Sequence, residues 1–274
     1  MAKQPDNQDR NFDDLAKRFQ KNIYGGLKGD IRLAVLERDF REHFIYAPFG
    51  SAIPTKPLRI LDAGGGQGQF SLKFAQAGHS VVICDISAEM LKLAEQEVIE
   101  LGLQNQVQLI HCAIQDLPQH LGDKCEFDIV LCHAVLEWVI NPLDLLTSLN
   151  AYVCPGGLLS LTFYNLHSLI YKNLLRTNFK KIQTADYGGA RGSLTPINPL
   201  YPEQVFEWLK HFPLDTLAIS GIRVFHDYIF NEQHRERDPE AVVELELAFS
   251  RRMPYQLLGR YIHVLSCKNK QQEL

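Results

Sequence analysis

A glycine-rich loop between two apolar segments is the first group of residues that could bind a ligand. Its sequence is Asp62-Ala63-Gly64-Gly65-Gly66-Gln67-Gly68, and a buried strand is predicted for residues 58–63. Glycines between a strand and a helix let the backbone approach a ligand closely and direct helix amides at negative charge. The dinucleotide fingerprint G-x-G-x-x-G would need its third glycine at Gln69, so the register disfavours a nicotinamide cofactor.

An acidic residue, Asp85, comes at the end of the second predicted strand, residues 80–84. A carboxylate at this place can accept hydrogen bonds from both ribose hydroxyls of an adenosine ligand. The alternative is a helix-capping role, because Ser87 and Glu89 begin the next predicted helix. The loop, the strand end and the spacing agree, which favours ribose binding.

Two later turns carry further candidates. The turn after the third strand contains Ile114 and Gln115, which could lie beside an adenine base or belong to an ordinary turn. His133 follows the fourth strand, where ligands bind at the switch point of an open α/β sheet. A histidine there is more often structural, unless the fold holds it over the ligand.

The elements that must position these residues alternate regularly along the chain. Apolar runs predict strands over residues 58–63, 80–84, 107–112, 127–132, 157–163, 217–225 and 261–267. Helical spacing of apolar residues predicts helices over 69–77, from Ser87 to Leu101, and over 142–152, 202–211 and 239–250. Strands separated by single helices indicate a doubly wound α/β sheet that is mostly parallel, with helices on both faces.

Two segments fall outside this alternation. Residues 1–55 are predicted to be a helical cover, with helices over 11–19 and 31–44 and a glycine-rich basic segment between them. Residues 56–274 form the main domain, and a long insertion interrupts it at about 166–200. The insertion contains five basic residues and several aromatic ones; the basic residues are Lys172, Arg176, Lys180, Lys181 and Arg191.

Composition limits the functional class. The net charge is -4 and the pI about 6.2, which does not by itself indicate a nucleic-acid binder, although local basic patches can bind phosphate. Six isolated cysteines have neither disulfide nor zinc spacing, so no metal is expected. The polar amino terminus and the absence of a long apolar run predict a cytoplasmic protein without membrane contact. The sequence does not indicate an oligomeric state.

Several strings along the chain together resemble the tRNA 5-carboxymethoxyuridine methyltransferases, class I enzymes that use S-adenosylmethionine (SAM). The glycine loop fits their motif D-x-G-x-G-x-G. The other matching strings are Asp9-Arg10-Asn11-Phe12-Asp13-Asp14, Asn22-Ile23-Tyr24-Gly25, His133-Ala134-Val135-Leu136-Glu137-Trp138, Gly221-Ile222-Arg223-Val224-Phe225-His226-Asp227-Tyr228 and Gly259-Arg260-Tyr261-Ile262-His263-Val264.

The resemblance implies a seven-stranded Rossmann-like sheet with its last strand antiparallel. It also implies methylation of the carboxyl group of 5-carboxymethoxyuridine at the tRNA wobble position, giving a methyl ester. The residues expected to bind SAM are Arg32, Gly64, Gly65, Gly66, Asp85, Ile114, Gln115 and His133. Since a carboxylate is already ionised near neutral pH, no general base and no catalytic acid or base residue is expected.

The acceptor is expected to lie near residues from the carboxy-terminal third and the fifth strand, namely Tyr164, Arg223, His226, Tyr228 and Arg260. The basic insertion is expected to bind the tRNA anticodon arm, with a solvated helix face as the alternative. Relatives carry a dense lysine run in this insertion, whereas this chain has Thr184-Ala185-Asp186-Tyr187-Gly188-Gly189-Ala190-Arg191-Gly192.

Three other functions are compatible with parts of the sequence. A SAM-dependent enzyme acting on a small carboxylic acid would show no tRNA affinity. An NAD(P)-dependent oxidoreductase would bind nicotinamide cofactor more tightly than SAM. A non-catalytic protein with a vestigial SAM fold is disfavoured by the intact glycine loop and Asp85.

Overall fold

The computed structural model describes residues 9–13, 25–122, 126–187 and 196–270. The strands in these ranges are β1 (Arg59–Ala63), β2 (Ser80–Asp85), β3 (Val107–His111), β4 (Phe127–His133), β5 (Val153–Tyr164), β6 (Leu214–Ile222) and β7 (Tyr261–Lys268). They form one sheet in the order β3-β2-β1-β4-β5-β7-β6. β1 to β5 pair in parallel, and β7 is antiparallel to both β5 and β6. The predicted Rossmann-like sheet with an antiparallel last strand is confirmed.

Helices connect and cover the strands. They are α1 (Gly26–His43), α2 (Leu72–Gln76), α3 (Ala88–Glu100), α4 (Leu117–Leu121), α5 (Pro142–Tyr152), α6 (Leu166–Leu175), α7 (Phe179–Gln183), α8 (Pro202–Leu209), α9 (Glu232–Arg235) and α10 (Pro239–Phe249). Short 3-10 turns cover Ile114–Asp116, Leu136–Trp138, His226–Tyr228 and Tyr255–Leu258. No helix in the described ranges is long and apolar enough to cross a membrane.

Two hydrophobic clusters occupy opposite faces of the sheet, because side chains of a strand point alternately to each face. One cluster joins β1, β4 and β5 to α5 and α8, for example through Leu146 and Val205. The other joins the same strands to α1, α2 and α3, for example through Phe40 and Phe74. Helices on both faces, as predicted, therefore bury the sheet.

The amino-terminal region differs from its prediction. α1 begins at Gly26, inside the glycine-rich segment predicted to separate two helices, because burial of Ile31, Val35 and Phe40 stabilises a helix that propensity alone disfavours. α1 packs against α10, β6 and β7, so it belongs to the same core as the sheet. The domain boundary at residue 55 stays a prediction.

Candidate cofactor and acceptor sites

The glycine loop has a conformation that requires glycine. Gly64, Gly66 and Gly68 have φ angles of 70°, 58° and 74°, in the left-handed region. The amides of Gly64 and Gly65 donate to the carbonyl of Cys84 at 2.9 and 3.1 Å. A Cβ atom on Gly64 would lie 2.5 Å from the Val135 side chain. The loop is therefore packed tightly against the segment that follows β4, and its backbone lines a cavity.

Two backbone amides orient the Asp85 carboxylate. Gly66 donates to Oδ2 at 2.9 Å, and Ser87 donates to Oδ1 at 2.8 Å. Each oxygen can still accept a second hydrogen bond, as the pair of ribose hydroxyls requires. Burial raises the pKa of Asp85, while these two hydrogen bonds act in the opposite direction. Asp85 thus supports the start of α3 and still faces the cavity, so the two interpretations are compatible.

One cavity is lined by most of the predicted SAM-binding residues. Its lining includes Arg32, Gly64, Gly66, Asp85, Ile114, Gln115 and His133. Gly65 instead lines a smaller, adjoining cavity, together with Arg32, Asp62 and His133. The residues predicted from five separate segments of sequence therefore surround two neighbouring cavities.

Residues 9–13 cover the larger cavity. The sequence predicted a cover over residues 1–55, but it did not predict which side chains would line the cavity. Asp9 accepts hydrogen bonds from Gln115 Nε2 at 2.8 Å and from the Ile140 amide at 2.9 Å. Phe12 packs edge-on against Trp138 with ring centroids 4.7 Å apart. Asp9, Arg10 and Phe12 line the cavity.

The predicted helix over residues 11–19 is wrong in its first residues. Asn11–Asp13 forms a turn in which Asn11 Oδ1 accepts from the Asp13 amide at 2.8 Å. Asp13 Oδ1 in turn accepts from the Ser87 hydroxyl at 2.7 Å, which ties this segment to the start of α3. Residues 14–19 of that predicted helix lie outside the described residues.

Arg32 and Asp62 bring opposite charges to the smaller cavity. Arg32 Nη2 donates to Gln69 Oε1, and the guanidinium lines both cavities. The Ser71 hydroxyl donates to Asp62 Oδ2 at 2.5 Å. Burial raises the pKa of Asp62 to about 6, against the effects of Ser71 and Arg32. A guanidinium in this position suits a carboxylate ligand, which it can bind through two parallel hydrogen bonds.

A second cluster of charged residues lies around Asp227, which is almost fully buried. Arg223 Nη1, Arg260 Nε and Lys172 Nζ approach its carboxylate at 3.7, 3.6 and 3.8 Å. Burial opposes ionisation of Asp227, but Arg223, His226, Arg260 and Lys172 outweigh it and hold its pKa well below the usual range. Three cations around one carboxylate leave two positive charges without an anionic partner in the cluster.

Tyrosine rings frame these cations. The Arg260 guanidinium lies 4.5 Å from the Tyr164 ring centroid, and that of Arg223 lies 5.5 Å from the Tyr261 centroid. The two rings pack edge-on at 5.4 Å. Among the described residues, neither Arg260 Nη1 nor the Tyr164 hydroxyl has a hydrogen-bond partner, although both are buried. The structure thus brings Tyr164, Arg223 and Arg260 together, with polar groups available for a ligand.

His226 and Tyr228 are also in this cluster, but they support it from behind. His226 is 1% exposed, and its Nδ1 lies 3.2 Å from Asp227 Oδ1. The Tyr228 hydroxyl lies 2.6 Å from the Leu258 carbonyl and 2.8 Å from Ser168 Oγ. Burial raises the pKa of Tyr228 to about 12. The Tyr228 hydroxyl is occupied by these contacts, whereas His226 Nε2 is buried and has no hydrogen-bond partner among the described residues. Direct binding of the acceptor by His226 or Tyr228 stays a prediction.

Lys172 and Asp227 were missed as members of this cluster. Lys172 was predicted to belong to a basic surface for the tRNA anticodon arm, whereas its side chain is only 16% exposed and lies beside Asp227. Asp227 follows Arg223 by four residues, a spacing at which opposite charges can form an ion pair. This spacing could have predicted that Asp227 belongs to the cluster. Arg223 also follows β6, at φ 60°, and does not lie in a strand as predicted.

Sheet register places both sites at one edge. His133 ends β4 and pairs with Thr162 of β5, two residues before Tyr164. Tyr261, at the start of β7, pairs with Tyr164 and with Ile222, the last residue of β6. The carboxyl ends of β1, β4, β5 and β6 meet along this edge, so the cavities and the Asp227 cluster are neighbours across β4 and β5.

The insertion presents basic and aromatic groups to solvent. Lys180 and Lys181 lie on α7, and Phe179 beside them is 54% exposed. Arg176 lies 5.6 Å from the ring centroid of Phe230, which is also exposed. Arg191 lies outside the described residues.

Comparison with known proteins identifies first the class and then the family. Residues 61–161 match the model of a methyltransferase domain. The fold matches the magnesium protoporphyrin IX methyltransferase of Synechocystis with bound S-adenosylhomocysteine (SAH), with a TM-score of 0.59 and 16% identity over 94% of this chain and 96% of that one. A plantazolicin methyltransferase in complex with a substrate analogue and SAH gives 0.56 at 16% identity, over 94% and 90% of the two chains. The protein is a class I SAM-dependent methyltransferase.

Its sequence relatives are more specific. The chain is 45% identical over 262 residues to the tRNA 5-carboxymethoxyuridine methyltransferase of Escherichia coli, covering 95% of this chain and 97% of that protein. A ubiquinone biosynthesis O-methyltransferase of Haemophilus ducreyi is 38% identical over only 109 residues, 39% of this chain and 45% of that protein. The chain belongs to the tRNA 5-carboxymethoxyuridine methyltransferases, which confirms the resemblance seen in the sequence.

Proposed function

We propose that this protein transfers the methyl group of SAM to the carboxylate of 5-carboxymethoxyuridine at the wobble position of tRNA. The product is the methyl ester. Family membership supports the donor and the modified nucleoside. One observation supports the carboxylate as the acceptor: Arg223, Arg260 and Lys172 surround a single carboxylate, Asp227, at the same sheet edge as the cofactor cavities.

The residues of the two cavities fit SAM. We assign Asp85 to the ribose hydroxyls, Arg32 to the methionine carboxylate, and the turn with Ile114 and Gln115 to the adenine. Gly64 and Gly65 leave no room for a side chain, because a Cβ atom on either would lie 2.5 Å from Val135 or Asp62, respectively. Bound SAM supplies a methyl group activated by its sulfonium charge.

Charge explains how the acceptor site handles substrate and product. The acceptor carboxylate is ionised near neutral pH, so no residue needs to remove a proton. The two excess positive charges around Asp227 favour this anion, whereas the ester product is neutral and loses the attraction. The protein's contribution is to bind and align the reactants, which can lower the barrier by several kcal/mol.

We further propose that the insertion binds the anticodon arm and that the protein acts in the cytoplasm, where it would meet tRNA. Lys180 and Lys181 can contact phosphates, and the exposed rings of Phe179 and Phe230 can stack on unpaired bases. Residues 1–55 would cover the cofactor, as the contacts of Asp9 and Phe12 with the cavity suggest.

Replacement of Arg260 by methionine tests the acceptor site. We expect kcat/KM for carboxylated tRNA to fall about 10-fold to 100-fold, because charged hydrogen bonds are worth about 1.5–3 kcal/mol. SAH affinity, measured by calorimetry, should be unchanged.

Arg252→Met is the matched control, because Arg252 is an exposed arginine that also lies over an aromatic ring, that of Phe249, at 5.2 Å. It should leave both quantities unchanged. Lys172→Met removes a second cation and should weaken tRNA use in the same direction if Arg260→Met fails to fold. Unchanged kcat/KM in folded variants of both residues would refute the assignment.

A further inference from the structure

A series of hydrogen-bonded side chains runs along one face of the sheet, from α1 to the cofactor cavities. Asp39 Oδ2 lies 2.7 Å from His263 Nδ1, and His263 Nε2 lies 3.0 Å from Ser160 Oγ. The same Ser160 oxygen lies 2.8 Å from His133 Nε2. Asp39, Ser160 and His263 are fully buried, whereas His133 lines both cavities. The chain of contacts therefore has a buried end and a ligand-facing end.

Strand pairing explains why these four residues meet. Ser160 pairs with Leu265 on β7, and His263 pairs with Thr162 on β5. Side chains two residues apart share a face, so Ser160 and His263 both point to the face covered by α1. Leu131 pairs with Ser160, which puts His133, two residues further on, on that face as well.

Charges around Asp39 balance without a proton on His263. Asp39 pairs with Arg38 at 2.8 Å and with Arg251 at 2.6 Å, and Arg251 also pairs with Glu42 at 2.6 Å. Two carboxylates and two guanidinium groups cancel. A cationic His263 would therefore place an uncompensated charge in the core, which is costly.

This charge balance determines which group donates and which accepts in each hydrogen bond between His133 and Asp39. Burial opposes ionisation of Asp39, but the hydrogen bond from His263 and the charge of Arg38 keep its pKa well below the usual range, so Asp39 accepts. Neutral His263 then donates through Nδ1–H and accepts at Nε2 from the Ser160 hydroxyl. The Ser160 oxygen in turn accepts from Nε2–H of His133. Burial, together with the charge of Arg32, lowers the pKa of His133 well below its usual value, so this ring is neutral as well.

We propose that Asp39, His263 and Ser160 are positioning residues that fix His133 as its Nε2–H tautomer. The unprotonated Nδ1 is then the nitrogen left to accept a hydrogen bond from the ammonium group of the methionine part of SAM. Arg32 lines the same two cavities. The cationic Arg32 would then bind the carboxylate of the methionine part, and the neutral His133 would bind its ammonium group. The inference rests on the proposed cofactor site.

The variant Ser160→Ala tests this proposal with two readouts that need no tRNA. Nitrogen-15 NMR of labelled histidines, assigned with a His133→Asn variant, should show one tautomer of His133 in the wild-type protein and a mixture in Ser160→Ala. SAH affinity should fall about 2-fold to 10-fold, because only the fraction of His133 that keeps the Nε2–H tautomer can accept from the ammonium group. Affinity for 5′-methylthioadenosine, which lacks the ammonium and carboxylate groups, should not change.

Two further variants separate positioning from a general loss of packing. Ser266→Ala removes a buried serine from the opposite face of the same sheet and should leave all readouts unchanged. Ser160→Thr keeps the hydroxyl and should restore the single tautomer. Equal loss of affinity for SAH and methylthioadenosine, or an unchanged tautomer in Ser160→Ala, would overturn the proposal. Failure of wild-type protein to bind SAH would instead refute the cofactor site itself.

Discussion

At the scale of single residues, Lys172 shows how burial changes a role inferred from composition. Its sequence context, among other cations of the insertion, predicts a solvated contact to phosphate. In the structure it lies beside Asp227, with Arg223 and Arg260 on the same carboxylate. Burial lowers the pKa of Lys172 to about 8, and Arg260, Arg176 and Arg223 act in the same direction against the attraction of Asp227. The charge of the cluster around Asp227, the proposed acceptor site, therefore depends on pH.

This pKa predicts weaker use of tRNA in mildly alkaline solution. Lys172 carries its charge below pH 8 and loses it above, so KM for carboxylated tRNA should rise as the pH passes about 8. The variant Lys172→Arg stays charged and should lose this rise. Kinetics between about pH 6.5 and 9.5 would check it, with SAH affinity as the control. The same rise in KM in Lys172→Arg would assign it to another group.

At the scale of elements, α1 anchors the cofactor site to the rest of the protein. Asp39 on α1 joins β7 through His263 and the residues after α10 through Arg251. Arg38 adds bonds to Ser220 Oγ of β6 and to Ser250 Oγ, at 2.8 and 2.7 Å. The helix is thus held by buried polar contacts as well as by its apolar face.

The variant Asp39→Asn should lower the free energy of unfolding by about 3 kcal/mol, because it leaves buried cations without their partner. Urea denaturation near neutral pH would measure it. The pKa of Asp39 is lowered by folding, so this contribution is complete above pH of about 4 and is lost as the pH falls further. Glu42→Gln, at a half-exposed carboxylate on the same arginine, should cost less than about 1 kcal/mol. Similar losses in both variants would contradict the argument.

Sequence predicted elements best where apolar spacing and flanking residues agreed. The helix over 142–152 is confirmed to the residue, because proline at its first position and a clear apolar stripe mark it. Ser87 caps α3 as predicted, accepting from the Met90 amide at 3.2 Å. β5 begins at Val153, earlier than the predicted 157, because Val153 pairs with Phe127 of β4 and the strand continues through a Pro-Gly pair. Such tertiary pairing leaves no local trace in the sequence.

α7 allows a test of the proposed tRNA surface. Replacing Lys180 and Lys181 with Glu should weaken tRNA binding by at least about 10-fold at low salt, since each lost phosphate contact reduces counterion release. SAH affinity should not change. Lys92→Glu with Lys210→Glu changes the net charge equally at two exposed lysines on α3 and next to α8, and it should have a much smaller effect. If both double variants weakened tRNA binding equally, the loss would be due to the net charge and α7 would not be the tRNA surface.

At the scale of the whole molecule, one edge of the sheet carries the cofactor cavities and the charged acceptor cluster. Residues that the sequence predicted for the cofactor, namely Arg32, Gly64, Gly66, Asp85 and His133, line one cavity, because most of them lie on motif positions at strand ends. Their role in binding SAM stays a prediction. The acceptor side was predicted less completely. Asp227 and Lys172 are 55 residues apart in the sequence, and only the folded structure shows that they are in contact.

The most direct test of this account is mass spectrometry of nucleosides from tRNA incubated with the purified protein and SAM. The tRNA should carry 5-carboxymethoxyuridine at the wobble position. We predict its conversion to the methyl ester, with no conversion of free small carboxylic acids and a marked loss of product with Arg260→Met. Unmodified 5-carboxymethoxyuridine after incubation with active, SAM-binding protein would contradict the central claim.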